Sequence, residues 1–144
     1  MRGLRPIRAT RRNQSAHGDM IVTTPFEEIS AASSADLLEI VQTKRRNGYG
    51  AFWLSSEENE FPVLFVGIKK GLAWLNYLDQ SDLPGYLSNG SYGGEQDDIE
   101  FMDMDGNVDL RPATCVVSED AALEAVAQFF KERDRPTNIQ WLEL

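Results

Sequence analysis

The stretch that decides the fold is "PVLFVGIKKGLAWLNYL", Pro62 to Leu78. Two runs of strand-forming residues flank a tight turn at "KKG", so the chain reverses and the runs, 62–69 and 72–78, read as neighbouring antiparallel strands. In the second run Leu72, Trp74 and Leu78 occupy one face and Ala73, Leu75 and Tyr77 the other. Both faces are apolar, the pattern of a central strand.

Working outward, Ala51 to Ser55 carries a third strand signal, and a helix precedes it. In "SSADLLEIVQTKRRNGYG" Ser33 is placed to cap, Leu37, Ile40 and Val41 form one stripe, and Lys44, Arg45 and Arg46 suit the negative helix end. Asn47-Gly48 supplies a left-handed stop, so the helix spans about Ala35 to Arg46. Downstream, "DQSDLPGYLSNGSYGG" reads as a loop with a short strand at Tyr86 and Leu87. Residues 98–104 and 107–111 flank Asp105-Gly106, a dipeptide suited to a two-residue hairpin because both positions tolerate positive φ. Ser118 then caps a second helix, about Glu119 to Arg133, with Leu123, Val126, Ala127 and Phe130 at core spacing, and "NIQWLEL" ends the chain as an edge strand. The fold class is α+β: a mainly antiparallel sheet of about five to seven strands with two helices packed on one face.

Composition narrows the function. The chain has 144 residues, the length of one domain, and a net charge of −9. That charge is unevenly spread: residues 1–20 hold five Arg and one Asp, while residues 21–144 carry −13. The first segment reads as a disordered basic N-terminal arm and residues 21–144 as a single acidic domain. Such a domain repels phosphates, so its core is not expected to bind nucleic acid; it attracts basic proteins. The longest apolar run, Val63 to Ile68, is far short of the roughly 20 residues of a membrane span. With a single cysteine, Cys115, and no secretion-type leader pattern, the expected compartment is the cytoplasm.

Seven carboxylates lie between Glu95 and Asp109 without an intervening Lys or Arg. An EF-hand aligned on Gly106 would need ligands where Phe101 and Pro112 stand, so that reading fails. The one histidine, His17, lies in the arm, Cys115 has no visible partner base, and "NGSYGG" lacks the Lys-Ser/Thr and helix of a phosphate loop. No cofactor is expected. The acids read either as a solvated edge that blocks strand pairing or as a docking surface whose neighbouring rings supply buried contact and whose charges steer. Two helices cover only one sheet face, so the doubly apolar strands have a face left to offer a partner.

The second half resembles a known family. "IEF" at Ile99 to Phe101 before a hairpin, "RPATCVVSEDAALEAV" with Pro112, Ala113, Val117, Glu119, Ala121 and Val126, "QFFKERDRP", and the spacing from Arg135-Pro136 to Trp141 are similar to immunity family one of the bacterial polymorphic-toxin systems. Members often carry Gly before the final acid and Arg-Pro, where this chain has Arg133, which puts the helix C-cap geometry in question. The resemblance implies an α+β protein without catalytic residues that binds and neutralises a cognate toxin, often a nucleic-acid deaminase. A cationic toxin cleft would be occluded through Asp79, Asp82, Glu95, Asp97, Asp98 and Glu100, with Trp74, Tyr86 and Tyr92 as anchors. The alternatives are a small hydrolase using two carboxylates, which would require a pocket of convergent acids, and a generic protein–protein adaptor domain.

Overall fold

The two strands of the decisive stretch pair antiparallel in unbroken register, Val63 opposite Leu78 through Lys69 opposite Leu72, around a Lys70-Gly71 turn. Gly71 takes φ +84, which a side chain would resist. The computed structural model describes residues 18–80, 84–90 and 98–144. Along the chain run β1 (Met20–Thr23), β2 (Glu28–Ala31), α1 (Ser34–Thr43), β3 (Tyr49–Ser56), β4 (Val63–Lys69), β5 (Leu72–Leu78) and β6 (Tyr86–Ser88). They are followed by β7 (Asp98–Met102), β8 (Val108–Pro112), β9 (Val117–Ser118), α2 (Glu119–Glu132) and β10 (Trp141–Glu143).

The main sheet is antiparallel in the order β10-β6-β5-β4-β3-β1-β2, with β9 pairing β5 beside β6. β7 and β8 form a separate two-stranded sheet. The α+β class stands, but the described residues hold more strands than the sequence pattern predicted. β1, β2 and β9 are too short to show a period, and become strands because β3 offers an open edge to β1, β1 in turn to β2, and β5 to β9. The first strand begins at Met20, a fully buried residue.

Both helices lie on one face. Leu37, Ile40 and Val41 of α1 and Ala122, Ala125, Val126 and Phe129 of α2 pack on Phe52, Leu54, Leu64, Val66 and Leu75. Ser33 and Ser118 cap the two helices by accepting from Asp36 N and Ala121 N, each at 3.1 Å. The opposite face is not bare, as the count of helices had implied: the β7–β8 hairpin lies across it, and Ile99, Phe101 and Met102 close over Ala51, Phe65 and Trp74. The doubly apolar central strands are therefore covered on both sides from within the chain.

Three local expectations change. Helix α1 stops at Thr43, and Asn47-Gly48, both at positive φ (55 and 84), form a tight turn closed by paired backbone bonds between Arg46 and Tyr49 (2.8 and 2.9 Å) that starts β3. Arg45 is freed to cap α1 from outside: its Nε donates to Val41 O (3.1 Å) and its Nη2 to Glu119 Oε2 (2.7 Å), tying the end of α1 to the start of α2. The β7–β8 connection is not a two-residue turn at Asp105-Gly106 but a five-residue loop, 103–107. Asp103 sets it, since one carboxylate oxygen accepts from both Asp105 N and Asn107 N at 2.9 Å.

The departure at Arg133 is absorbed by side-chain bonding. Arg133 adopts the left-handed conformation (φ 52) that glycine would take, at a cost of about 1–2 kcal/mol. Its backbone N–H caps Phe129 O (2.8 Å), its Nε donates to Phe130 O (2.8 Å), and its Nη2 reaches Gly18 O (2.8 Å). One residue thereby closes α2 and fixes the approach to β1.

Candidate functional site

In "VDLRP" the apolar and charged residues alternate, so one set must face the sheet. The structure turns the charged set inward. Asp109 and Arg111 are paired at 3.1 Å, and the Arg111 guanidinium lies 4.0 Å from the centre of the Trp74 ring, a cation–π contact. Val108 and Leu110 are left on the outer face, 68 % and 56 % exposed. Cross-strand pairing places Glu100 opposite Leu110 and Asp98 opposite Pro112, so the outer face joins apolar side chains to exposed carboxylates.

The hairpin tip extends this face. Phe26, 48 % exposed, sits beside Gly106, and the Arg46 guanidinium lies 3.7 Å from the centre of its ring. A cleft of about 250 Å³ opens between the Asn47-Gly48 turn and the tip, lined by Arg46, Tyr49, Phe101, Met102, Gly106 and Val108, among others.

A second concave region lies on the helix side of the sheet, where Tyr77, Asp79, Tyr86, Asp134, Arg135 and Thr137 line about 320 Å³. Tyr77 donates to Asp134 Oδ1 (3.2 Å), and burial, reinforced by Asp79 and Asp134, holds its phenol well above the usual tyrosine range. Arg135 stacks on Tyr86 at 4.1 Å, and Trp141 Nε1 donates to Pro136 O at 2.8 Å. The spacing from Arg135-Pro136 to Trp141 thus has a structural cause: the Pro136 carbonyl holds the indole against Tyr77, 6.4 Å from ring to ring.

The sequence candidates separate accordingly. Asp98 and Glu100 share the outer hairpin face, and Asp79 and Tyr86 share the corner behind the sheet. Trp74 is only 6 % exposed; its indole fills the space above Gly67, where a Cβ would overlap Nε1, and packs 4.9 Å from Phe65. That burial removes it from the surface, and its contribution is to seat Arg111. Asp82, Tyr92, Glu95 and Asp97 lie outside the described residues. Cys115 is buried, and that burial pushes its thiol pKa up, away from nucleophilic reactivity.

Sequence reasoning missed Phe26, Val108 and Leu110. The alternation of "VDLR" held the signal, because it admits either phase, but only the Trp74 ring waiting on the sheet selects the one that buries Arg111.

Comparison with known proteins places the chain in a family. The family model described as Immunity protein Imm1 matches residues 17–143. A double-stranded DNA deaminase immunity protein from Burkholderia cenocepacia (strain H111) is 32 % identical over 117 residues, spanning 81 % of this chain and 94 % of that protein. With the match running from just before β1 to β10, this chain belongs to the Imm1 family of immunity proteins, whose work is to neutralise toxins.

Proposed function

We propose that the cognate toxin is a nucleic-acid deaminase, and that this chain inhibits it in the cytoplasm, without turnover, by laying the outer face of the β7–β8 hairpin against its substrate groove. The observation that carries this reading is the inverted strand β8. Leaving Val108 and Leu110 in water while Arg111 takes the space above Trp74 forfeits apolar burial that the opposite phase would gain, a local conflict typical of a surface reserved for a partner. The deaminase class rests on the relative from Burkholderia cenocepacia.

The charges fit the task. A groove that holds nucleic acid is lined with cations, and Asp98 and Glu100, with the acidic balance of the domain, complement it. Steering by such fields raises association rates, and the effect fades with salt. Asp79 and Tyr86 form a second, separate contact region, and Asp82, Tyr92, Glu95 and Asp97 belong to the same acidic proposal through sequence alone.

Growth rescue on co-expression with the toxin gene tests the function, and paired neutralisation tests the surface. Asp98→Asn with Glu100→Gln is expected to slow association roughly two- to tenfold at low salt and to flatten its salt dependence. Unchanged association kinetics in that variant reject the surface.

Hydrolysis by two carboxylates has one geometric point in its favour, the approach of Asp79 and Asp134 in one cleft. Asp134, however, is already engaged, accepting from Tyr77 and from Arg135 N at 2.8 Å. Substrate turnover by the isolated chain that disappears in Asp79→Asn would establish this reading in place of the first.

A further inference from the structure

The cleft at the hairpin tip has properties that the rest of the acidic surface lacks. Its walls are mainly apolar, supplied by Tyr49, Phe101, Met102 and Val108, with Arg46 at the rim. It opens among three of the most exposed large apolar side chains of the described residues: Val108 lines it, Leu110 follows on the same strand face, and Phe26 packs beside Gly106 at the tip. Phe26 and the hairpin tip come from segments far apart in sequence, brought together because Phe26 lies in the β1–β2 connection at the sheet edge next to β3, which the hairpin crosses.

Size decides what such a cleft can take. An apolar cavity of about 150 Å³ accommodates a benzene ring, so about 250 Å³ is room for one aromatic or leucine-sized side chain without rearrangement. The surroundings decide what flanks it. Asp105 is exposed at the tip and Glu100 stands across from Leu110, while the nearest cation, Arg46, is turned onto the Phe26 ring. An apolar slot with Arg46 and the Lys69 ammonium (5.7 Å from the centre of the Tyr49 ring) beside its walls, and with Asp105 at the tip and Glu100 on the adjoining hairpin face, matches an apolar side chain whose flanking Lys or Arg reach those carboxylates.

We infer that this cleft is the anchor socket of the interface, and that it receives a single aromatic or large aliphatic side chain from a basic loop of the cognate toxin. The inference rests on the toxin-binding reading above and sharpens it: the acids set how fast the partners meet, and the socket sets how long they stay. Fully desolvated pockets that enclose one large side chain carry most of the energy in interfaces of this kind, and their loss appears in the dissociation rate. Phe26 and Val108 form the dry rim, and the Arg46–Phe26 stack holds that rim in place.

The test uses the full chain and the catalytically inactivated domain of the cognate toxin, with binding followed by surface kinetics. Asn107→Trp places an indole at the mouth of the socket from an exposed loop position, and Phe26→Ser removes the rim on the opposite side. Each is expected to speed dissociation roughly 10- to 100-fold while leaving the association rate and its salt dependence near those of the unmodified protein. Leu110→Ser, on the hairpin face outside the socket, is the control for the broader reading. If the two socket variants dissociate at the original rate while Leu110→Ser or Asp98→Asn/Glu100→Gln weakens binding, the socket inference is overturned and the hairpin face stands. If none of these variants weakens binding, both are overturned. Thermal melts of each variant show that the fold is kept, and the two socket variants act at different positions, so a misfolded one leaves the other to decide.

Discussion

The two faces of the sheet are built to different standards. On the helix face, the residues that alternation assigns inward are inward: Phe52, Leu54, Leu64, Val66 and Leu75 meet the apolar stripes of α1 and α2 in one buried cluster. On the hairpin face, Gly67 gives up its side chain so that Trp74 can lie across it, the Trp74 Nε1 has no hydrogen-bond partner among the described residues, and β8 turns Asp109 and Arg111 toward the sheet. The first face is packed for stability. The second accepts misfit, and the apolar groups it displaces are those displayed at the surface. On the proposed reading, stability and recognition fall on opposite sides of one sheet, and substitutions at the outer surface of the hairpin are expected to have limited effect on the helix face.

The most severe way to break this contrast is to damage the helix face. Phe129→Ala, at a fully buried ring in edge contact with Tyr77, is expected to lower unfolding stability by about 3–5 kcal/mol in urea titration. Next is Gly67→Ala, which forces Trp74 from its place and Arg111 with it; a loss of about 1–3 kcal/mol is expected, together with weakened toxin binding, so this one residue reports on both properties.

Acid sharpens the contrast further. Glu119 accepts from Arg45 and from Gly71 N (2.9 Å), and chiefly through the Arg45 bond its carboxyl pKa falls below the ordinary value of 4.5. A depressed folded pKa contributes stability that is present above the unfolded value and lost as pH drops through the folded one. Glu119→Gln should therefore cost about 1–2 kcal/mol at neutral pH, and its deficit should shrink below about pH 4.5, measured as melting temperature against pH. The smallest effect is expected from Leu110→Ser, which should change stability by no more than about 0.5 kcal/mol, since the side chain is already 56 % exposed, while impairing neutralisation.

Much of the helix face was legible in advance. Ser33 and Ser118 announce the helix starts, the α1 stripe faces the core, and the double apolar pattern of Leu72 to Leu78 marks a strand at the centre. In α2, Val126 and Phe130 are buried as expected, but the buried face is completed by Ala122, Ala125 and Phe129 while Leu123 and Ala127 are only partly covered. Elsewhere the same local chemistry had two outcomes. Asn47-Gly48 suits a helix stop and a β-turn equally, because both need positive φ, and the choice fell to Tyr49 pairing back with Arg46 at the start of β3. Asp105-Gly106 permits a two-residue turn, yet Asp103 organises a longer loop through bonds to two backbone N–H groups. For the site, the sequence pointed to the carboxylates of the hairpin but not to the apolar residues beside them, since exposure belongs to the assembled molecule and not to a residue type.

The sequence by itself determined the class, the central strands, the two capped helices and the family, because these depend on short-range periodicity, capping side chains and local motif spacing. Only the tertiary structure decided which phase β8 would present and that Phe26 would stand beside Gly106 at the hairpin tip. Alternation in a strand leaves two faces equivalent until something distant makes one of them inside, and here that is Trp74, lying over Gly67 on the neighbouring strand with room above it for a guanidinium.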